Sequence, residues 1–170
     1  MALAHLAGAT NEEIAQAMQN FRGVDRRFDF RLKTAQYALL SDYAHHPAEI
    51  MQSLRSMRQL YKDRKLTAIF QPHLYTRTRD FASEFAQSLS QLDDVILLEI
   101  YPAREKPIKG VTSALIAKNI KHKNKMILAQ KEDLVNELKN HTFDVLITIG
   151  AGNIDQLVPE VTQYVESIAK

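Results

Sequence analysis

The chain contains no cysteine. That excludes a disulfide framework, a thiolate nucleophile and any zinc site built on sulfur, and it fits a reducing compartment. Net charge is also scarce. A balance of 22 basic against 20 acidic side chains leaves a formal +2, too little to argue for nucleic acid or an anionic membrane as a partner. No apolar run approaches the ~20 residues that span a bilayer. Met1 to Leu6 lacks the basic segment and sustained apolar core of a signal peptide. The expectation is a cytoplasmic protein engaging neither nucleic acid nor membrane. Absent too is any Gly-x-x-x-x-Gly-Lys-Ser/Thr loop, and with it a nucleotide-triphosphate cradle of that type.

What is present is 170 residues, 45% hydrophobic and 25% charged, enough for one soluble domain with an appendage. Leu3 and Leu6 read as the end of a helix stopped by Gly8. An opening in mid-helix implies a piece of something longer. Thr10 and Glu13 have capping-box spacing ahead of a helix carrying Ile14, Ala17, Met18 and Phe21, which Gly23 ends. From there strands and helices alternate. Strands are expected at Phe28–Leu32, Tyr37–Leu40, Leu66–Phe70, Val95–Ile100, Met126–Ala129 and Phe143–Ile149. Helices are expected on the stripes Ile50/Leu54/Met57/Tyr61, Phe81/Phe85/Leu89, Ile116/Ile120, Leu134/Val135/Leu138 and Ile154 to Ile168. This pattern predicts an α/β fold: a doubly wound, mostly parallel sheet with helices on both faces. The short link between the first two strands makes an antiparallel pair at one end, so the sheet is mixed.

Three polar turns follow three successive strands. Ser41 to Pro47 reads Ser-Asp-Tyr-Ala-His-His-Pro, Gln71 to Arg79 reads Gln-Pro-His-Leu-Tyr-Thr-Arg-Thr-Arg, and Tyr101 to Gly110 holds two prolines and four charges. Parallel strands would project all three from one sheet edge, where α/β proteins bind ligands. Gathered there would be Asp42, Tyr43, His45, His46, His73, Arg77, Arg79, Arg104 and Glu105. So many cations suit a carboxylate or phosphate. A metal on His45, His46 and His73 is the weaker reading, since neighbouring residues point apart and only Asp42 and Glu105 add carboxylates. Asp42 or His46 can equally be structural caps for a helix that opens on Pro47. His5, His122 and His141 read as background. Gly150-Ala151-Gly152-Asn153 is either a short anion-binding turn or simply a tight one.

Asp-Tyr-Ala-His-His-Pro-Ala-Glu-Ile (42–50), Phe-Gln-Pro-His-Leu-Tyr-Thr-Arg-Thr (70–78) and Gly-Ala-Gly-Asn-Ile (150–154) occur in that order, preceded by Gly-Val-Asp-Arg-Arg-Phe (23–28). Together they closely resemble the alanine-adding branch of the Mur ligase family. The resemblance covers nearly the whole chain but only the last third or so of the family's architecture. It implies a Rossmann-like C-terminal domain over residues 24–170, with residues 1–23 a helical remnant of a central ATPase domain. It leaves the UDP-binding and ATPase domains outside the chain, which accounts for the absent phosphate loop.

The reaction so implied joins L-alanine to UDP-N-acetylmuramate through an acyl phosphate in peptidoglycan precursor synthesis. ATP and Mg²⁺ would be held mainly by the central domain, and the fragment would be inactive alone. Carried over by residue, Tyr43, His45, His73 and Arg77 would line the L-alanine pocket. Arg26, Arg27 and Asp42 would meet ATP, with Asp42 near the ribose. His46, Arg104 and Glu105 are further possibilities, and no residue is assigned to catalysis or to metal. Three positions depart from the family pattern: Leu74 stands where an arginine is common, Asn153 where an aspartate is, and Arg104 where a small residue is. A sibling that recycles murein tripeptide shares the first turn, and the Gln-Pro-His-Leu-Tyr-Thr-Arg-Thr turn favours the alanine-adding enzyme over it. A standalone anion-binding α/β module is the reading from another class.

Overall fold

A computed structural model describes residues 1–21, 23–121, 125–128 and 131–169, with the backbone alone for 125–128. Six strands form one sheet: β1 (Asp29–Lys33), β2 (Ala38–Asp42), β3 (Leu66–Phe70), β4 (Asp94–Leu98), β5 (Lys125–Leu128) and β6 (Val145–Ile149), in the order β1-β2-β6-β3-β4-β5. β1 pairs antiparallel with β2, and every other pairing is parallel. The last strand, β6, inserts between β2 and β3, with Val145 opposite both Ala38 and Leu66. β2, β3, β4 and β6 are buried along their whole length, as near-continuous apolar runs in a covered parallel sheet should be.

Among the described residues the α-helices are α1 (Ala2–Leu6), α2 (Asn11–Asn20), α3 (Pro47–Leu60), α4 (Tyr75–Asp80), α5 (Ala82–Leu89), α6 (Ala114–Asn119), α7 (Leu134–Leu138) and α8 (Val158–Ile168). One sheet face is covered by α3, α5 and α6 through Ile50, Leu54, Met57, Phe85, Leu89 and Ile116. The other is covered by α7 and α8 through Leu134, Leu138, Val161 and Val165. The predicted doubly wound mixed sheet is therefore the architecture observed. By contrast, α1 and α2 bury no residue, and Leu3, Leu6, Met18 and Phe21 stand exposed. The Thr10–Glu13 capping box is formed as its spacing predicts.

Several boundaries differ from the sequence pattern, each for a local reason. β2 runs two residues further than expected, so Ser41 and Asp42 belong to the strand and are buried. The predicted Phe81–Leu89 helix is two helices broken at Phe81, and α4 already begins at Tyr75. Thr76, Arg77, Thr78 and Arg79 thus lie on a helix rather than in a turn. Its start was hidden because Leu74, the N-cap position, has no capping side chain. Before α7 and α8 the chain makes 3₁₀ turns at Lys131–Asp133 and Asn153–Leu157. The end of the expected strand at Ala129, and His122, lie outside the described residues.

Candidate functional site

The carboxyl ends of β2, β3, β4 and β6 carry the polar turns, and backbone pairing continues past the strands to hold those turns in register. After β3 and β4, His73 and Tyr101 form an isolated parallel bridge. Tyr101 N–H donates to the Pro72 carbonyl at 2.8 Å, and Leu74 N–H donates to that of Tyr101 at 3.0 Å. The imidazole of His73 is stacked on the Tyr101 ring, with centroids 5.7 Å apart at 20°. His45 meets His73 edge-on at 6.0 Å, and Tyr43 meets His45 at 5.4 Å. The result is a continuous row of rings, Tyr43–His45–His73–Tyr101, across the sheet edge.

Each member of the row is fixed from behind. His73 Nδ1 lies 3.1 Å from Arg77 Nη1. A guanidinium only donates, so Nδ1 accepts and the ring is neutral with its proton on Nε2. Burial, then the Arg77 and His45 charges, hold the His73 pKa below the usual imidazole value, with Glu105 opposing. His45 is the converse case: its Nδ1 lies 3.1 Å from the Tyr43 carbonyl, which only accepts, so the proton sits on Nδ1. Glu49 Oε2 is 3.6 Å from that same nitrogen and accepts from the N–H groups of His45 and His46 at 3.0 and 3.2 Å. Those bonds, that from His45 first, lower the Glu49 pKa against a partial desolvation.

Glu105 reaches the row from the long loop after β4. Glu105 N–H donates to the Pro102 carbonyl, and its carboxylate accepts from Thr76 N–H at 3.0 Å and from the Thr76 hydroxyl. These bonds hold its pKa below the ordinary carboxylate value, the hydroxyl contributing most. An acceptor from a distant loop thus caps α4 in the same turn that carries Arg77. Leu74 and Ala103, the residues that set this geometry, have φ of 74° and 50°. Left-handed backbone at non-glycine residues is strained, and such strain collects at functional sites.

The remaining expected residues are placed differently. Asp42 is 6% exposed, and its oxygens accept from Ala44 N–H and the Ser53 hydroxyl. Arg26 donates to the carbonyls of Gly150 and Gly152 at 3.1 and 3.2 Å and pairs with Asp155 at 3.2 Å. Arg27 is exposed, with its guanidinium carbon 5.1 Å from the Tyr43 ring centroid, and that of Arg26 lies 4.8 Å from the same centroid. His46 turns away from the row: it N-caps α3 and packs on Phe81 at 5.1 Å. Arg79 pairs with Asp80, and Arg104 is exposed.

The glycine turn packs against protein. Its carbonyls serve Arg26, and a Cβ on Gly152 would stand 2.5 Å from Gln71 Oε1 and 2.6 Å from Tyr101 Cγ. Gln71, nearly buried, donates to Asn153 Oδ1 at 2.9 Å and accepts from Ile154 N–H at 3.0 Å. Sequence reasoning passed over Tyr101, Gln71 and Ser53. Tyr101 alone had a signal, as an aromatic directly after a strand.

The family model described as "Mur ligase, glutamate ligase domain" matches residues 26–152, the span of this sheet edge. The chain belongs to the Mur ligase family. It is 58% identical, over 95% of its own length, to the UDP-N-acetylmuramate–L-alanine ligase of Phocaeicola vulgatus, and spans 35% of the length of that relative. Two solved Mur ligase structures share the fold. The UDP-N-acetylmuramate–alanine ligase of Thermotoga maritima superposes with a TM-score of 0.77 at 24% identity, over 98% of this chain and 36% of that one. The murein peptide ligase of Psychrobacter arcticus gives 0.67 at 20% identity, over 96% and 34%. The chain thus spans about a third of the length of these relatives.

Proposed function

We propose that this Mur ligase domain is the amino-acid-binding, lid-like part of the ATP-dependent enzyme that joins L-alanine to UDP-N-acetylmuramate through an acyl phosphate. The observation that carries the reading is the meeting of Tyr43, His45, His73 and Arg77 on one open sheet edge, in a chain 58% identical to a relative named for that reaction. Arg77 offers a planar donor fork to the carboxylate of alanine, and His73 Nε2–H supplies a second donor. Residues 24–170 form the domain, and residues 1–23 belong with the central ATPase domain. The absence of burial in α1 and α2 supports that division.

Of the residues expected at the nucleotide, Arg27 has the open guanidinium, while Arg26 and Asp42 act here as braces of the turns beneath it. In this reading ATP is a substrate and Mg²⁺ its accompanying ion in the full-length enzyme, both bound mainly by the central domain. UDP-N-acetylmuramate is likewise bound elsewhere. No helix among the described residues is long and apolar enough to cross a membrane, and we place the reaction in the cytoplasm.

In the full-length enzyme, Arg77→Ala should raise the KM for L-alanine by roughly 10²-fold, the loss of a charge-assisted carboxylate contact of about 2–3 kcal/mol. The KM for ATP should move far less. Equal effects on both substrates would remove the pocket assignment. Residues 1–170 alone should hydrolyse no ATP.

A further inference from the structure

The two imidazoles that face each other at 6.0 Å are locked in opposite tautomers. His45 gives its Nδ1–H to the Tyr43 carbonyl, so in the neutral ring Nε2 is the lone-pair acceptor. His73 takes an Arg77 N–H on Nδ1, leaving Nε2–H as a donor. A zwitterion lying across the exposed side of this ring pair meets an acceptor at one end and a donor backed by a cation at the other. This asymmetry sorts the ends of an amino acid: ammonium toward His45, carboxylate toward His73 and Arg77.

We infer that His45 is the general base of the ligation step, taking a proton at Nε2 from the ammonium of the amino-acid substrate. The inference rests on the amino-acid pocket proposed above. An ammonium has no lone pair, so it is no nucleophile until one N–H bond breaks. That proton passes to His45 Nε2, and the freed pair forms the C–N bond to the carbonyl carbon of an acyl phosphate presented by the rest of the enzyme. When the tetrahedral intermediate collapses, the C–O bond to phosphate breaks. A second N–H proton goes to the departing phosphate, leaving the neutral amide, and His45 returns its proton to water.

The groups facing His45 suit that role. From its own turn come Tyr43 and Glu49, whose carboxylate lies 3.6 Å from Nδ1 and stabilises the imidazolium that forms. Across the edge stands His73, which is held neutral, and from the N-terminal segment comes Arg27 beside Tyr43. The Tyr43 carbonyl fixes the far nitrogen at 3.1 Å, and an acceptor on that nitrogen is how catalytic histidines are oriented. His73 cannot share the task, because its free nitrogen already carries a proton.

The test uses the full-length enzyme and His45→Asn, whose amide N–H can still serve the Tyr43 carbonyl while Nε2 is removed. With L-alanine, kcat at pH 7 should fall by about 10²–10⁴-fold, with a much smaller change in KM, and the remaining rate should climb steadily with pH as free amine accumulates. Hydroxylamine is a free base at neutral pH and needs no proton acceptor. Hydroxamate formation from the acyl phosphate should therefore be rescued in His45→Asn to within a few-fold of wild type. Equal losses with both nucleophiles, or no loss with L-alanine, would overturn the assignment. Arg77→Ala separates the two readings. If it leaves the KM for L-alanine unchanged, the pocket itself is wrong. If it raises that KM while His45→Asn is silent, only the base is.

Discussion

Asp42 shows how much a single buried side chain decides. As a loop residue it would have been free to meet a ligand. As the last residue of β2 it spends its oxygens on Ala44 N–H and Ser53, and so shapes the turn that aims Tyr43 and His45. Thr67 on β3 is the opposite case, since its hydroxyl is buried with no hydrogen-bond partner among the described residues. A buried polar atom without a partner costs about 1–3 kcal/mol, so the near-isosteric Thr67→Val should stabilise the domain by about 1 kcal/mol in urea unfolding. A loss of stability would mean that the hydroxyl has a partner after all. His73 carries a pH signature. Its folded pKa lies below the unfolded value of about 6.5, so the unfolded chain takes up the proton first as pH falls. The stability contributed by the neutral ring is complete above about pH 6.5 and declines as pH drops through the lower, folded value. The slope of stability against pH just below 6.5 should flatten in His73→Gln.

At the scale of elements, α4 is the informative case. Nothing in the sequence near Leu74 announces a helix start, because the cap comes from Glu105, 29 residues beyond Thr76. Thr76→Val removes the hydroxyl from that clamp while keeping the shape, and α4 should then hold Arg77 less firmly. The expected outcome in the full-length enzyme is a KM for L-alanine raised on the order of tenfold with ATP kinetics unchanged, since small misplacements of binding groups cost that much or more. The glycine turn makes the reverse point. Its composition fits an anion cradle, yet a Cβ at Gly152 would collide with Gln71 and Tyr101. Gly152→Ala should therefore destabilise by about 1–3 kcal/mol, read as a lower midpoint of thermal unfolding.

These elements mark where the sequence was legible. Apolar periodicity located every strand and the helices of the sheet, because burial on two faces imposes it directly on β2, β3, β4 and β6. Parallel strands deliver successive turns to one edge, which made a wider set of candidates readable there, and the family resemblance singled out Tyr43, His45, His73 and Arg77 among them. What could not be read were the long-range partners: Glu105 on Thr76, Arg26 on the Gly150 and Gly152 carbonyls, and Tyr101 under His73. Each joins residues 28 or more apart with no local pattern of its own.

At the scale of the molecule, the proposed division between residues 1–23 and the rest has physical consequences that can be measured. α1 and α2 bury no side chain, so removing them deletes little apolar contact from the sheet domain. Arg26 is where the N-terminal segment becomes part of the fold. Its carbonyl accepts from Tyr43 N–H at 2.6 Å, and its guanidinium ties the segment to the turn after β6. A chain of residues 24–170 should therefore unfold within about 0.5 kcal/mol of the 170-residue chain, the range for changes away from packed features. Arg26→Ala in the longer chain should cost about 1–2 kcal/mol, most of it from the two carbonyl bonds, because the partly exposed Asp155 pair adds little. At this size that is a fall of several degrees in Tm. If truncation lowers the midpoint as much as Arg26→Ala does, the helical pair is an integral part of this domain and the boundary at residue 24 is misplaced.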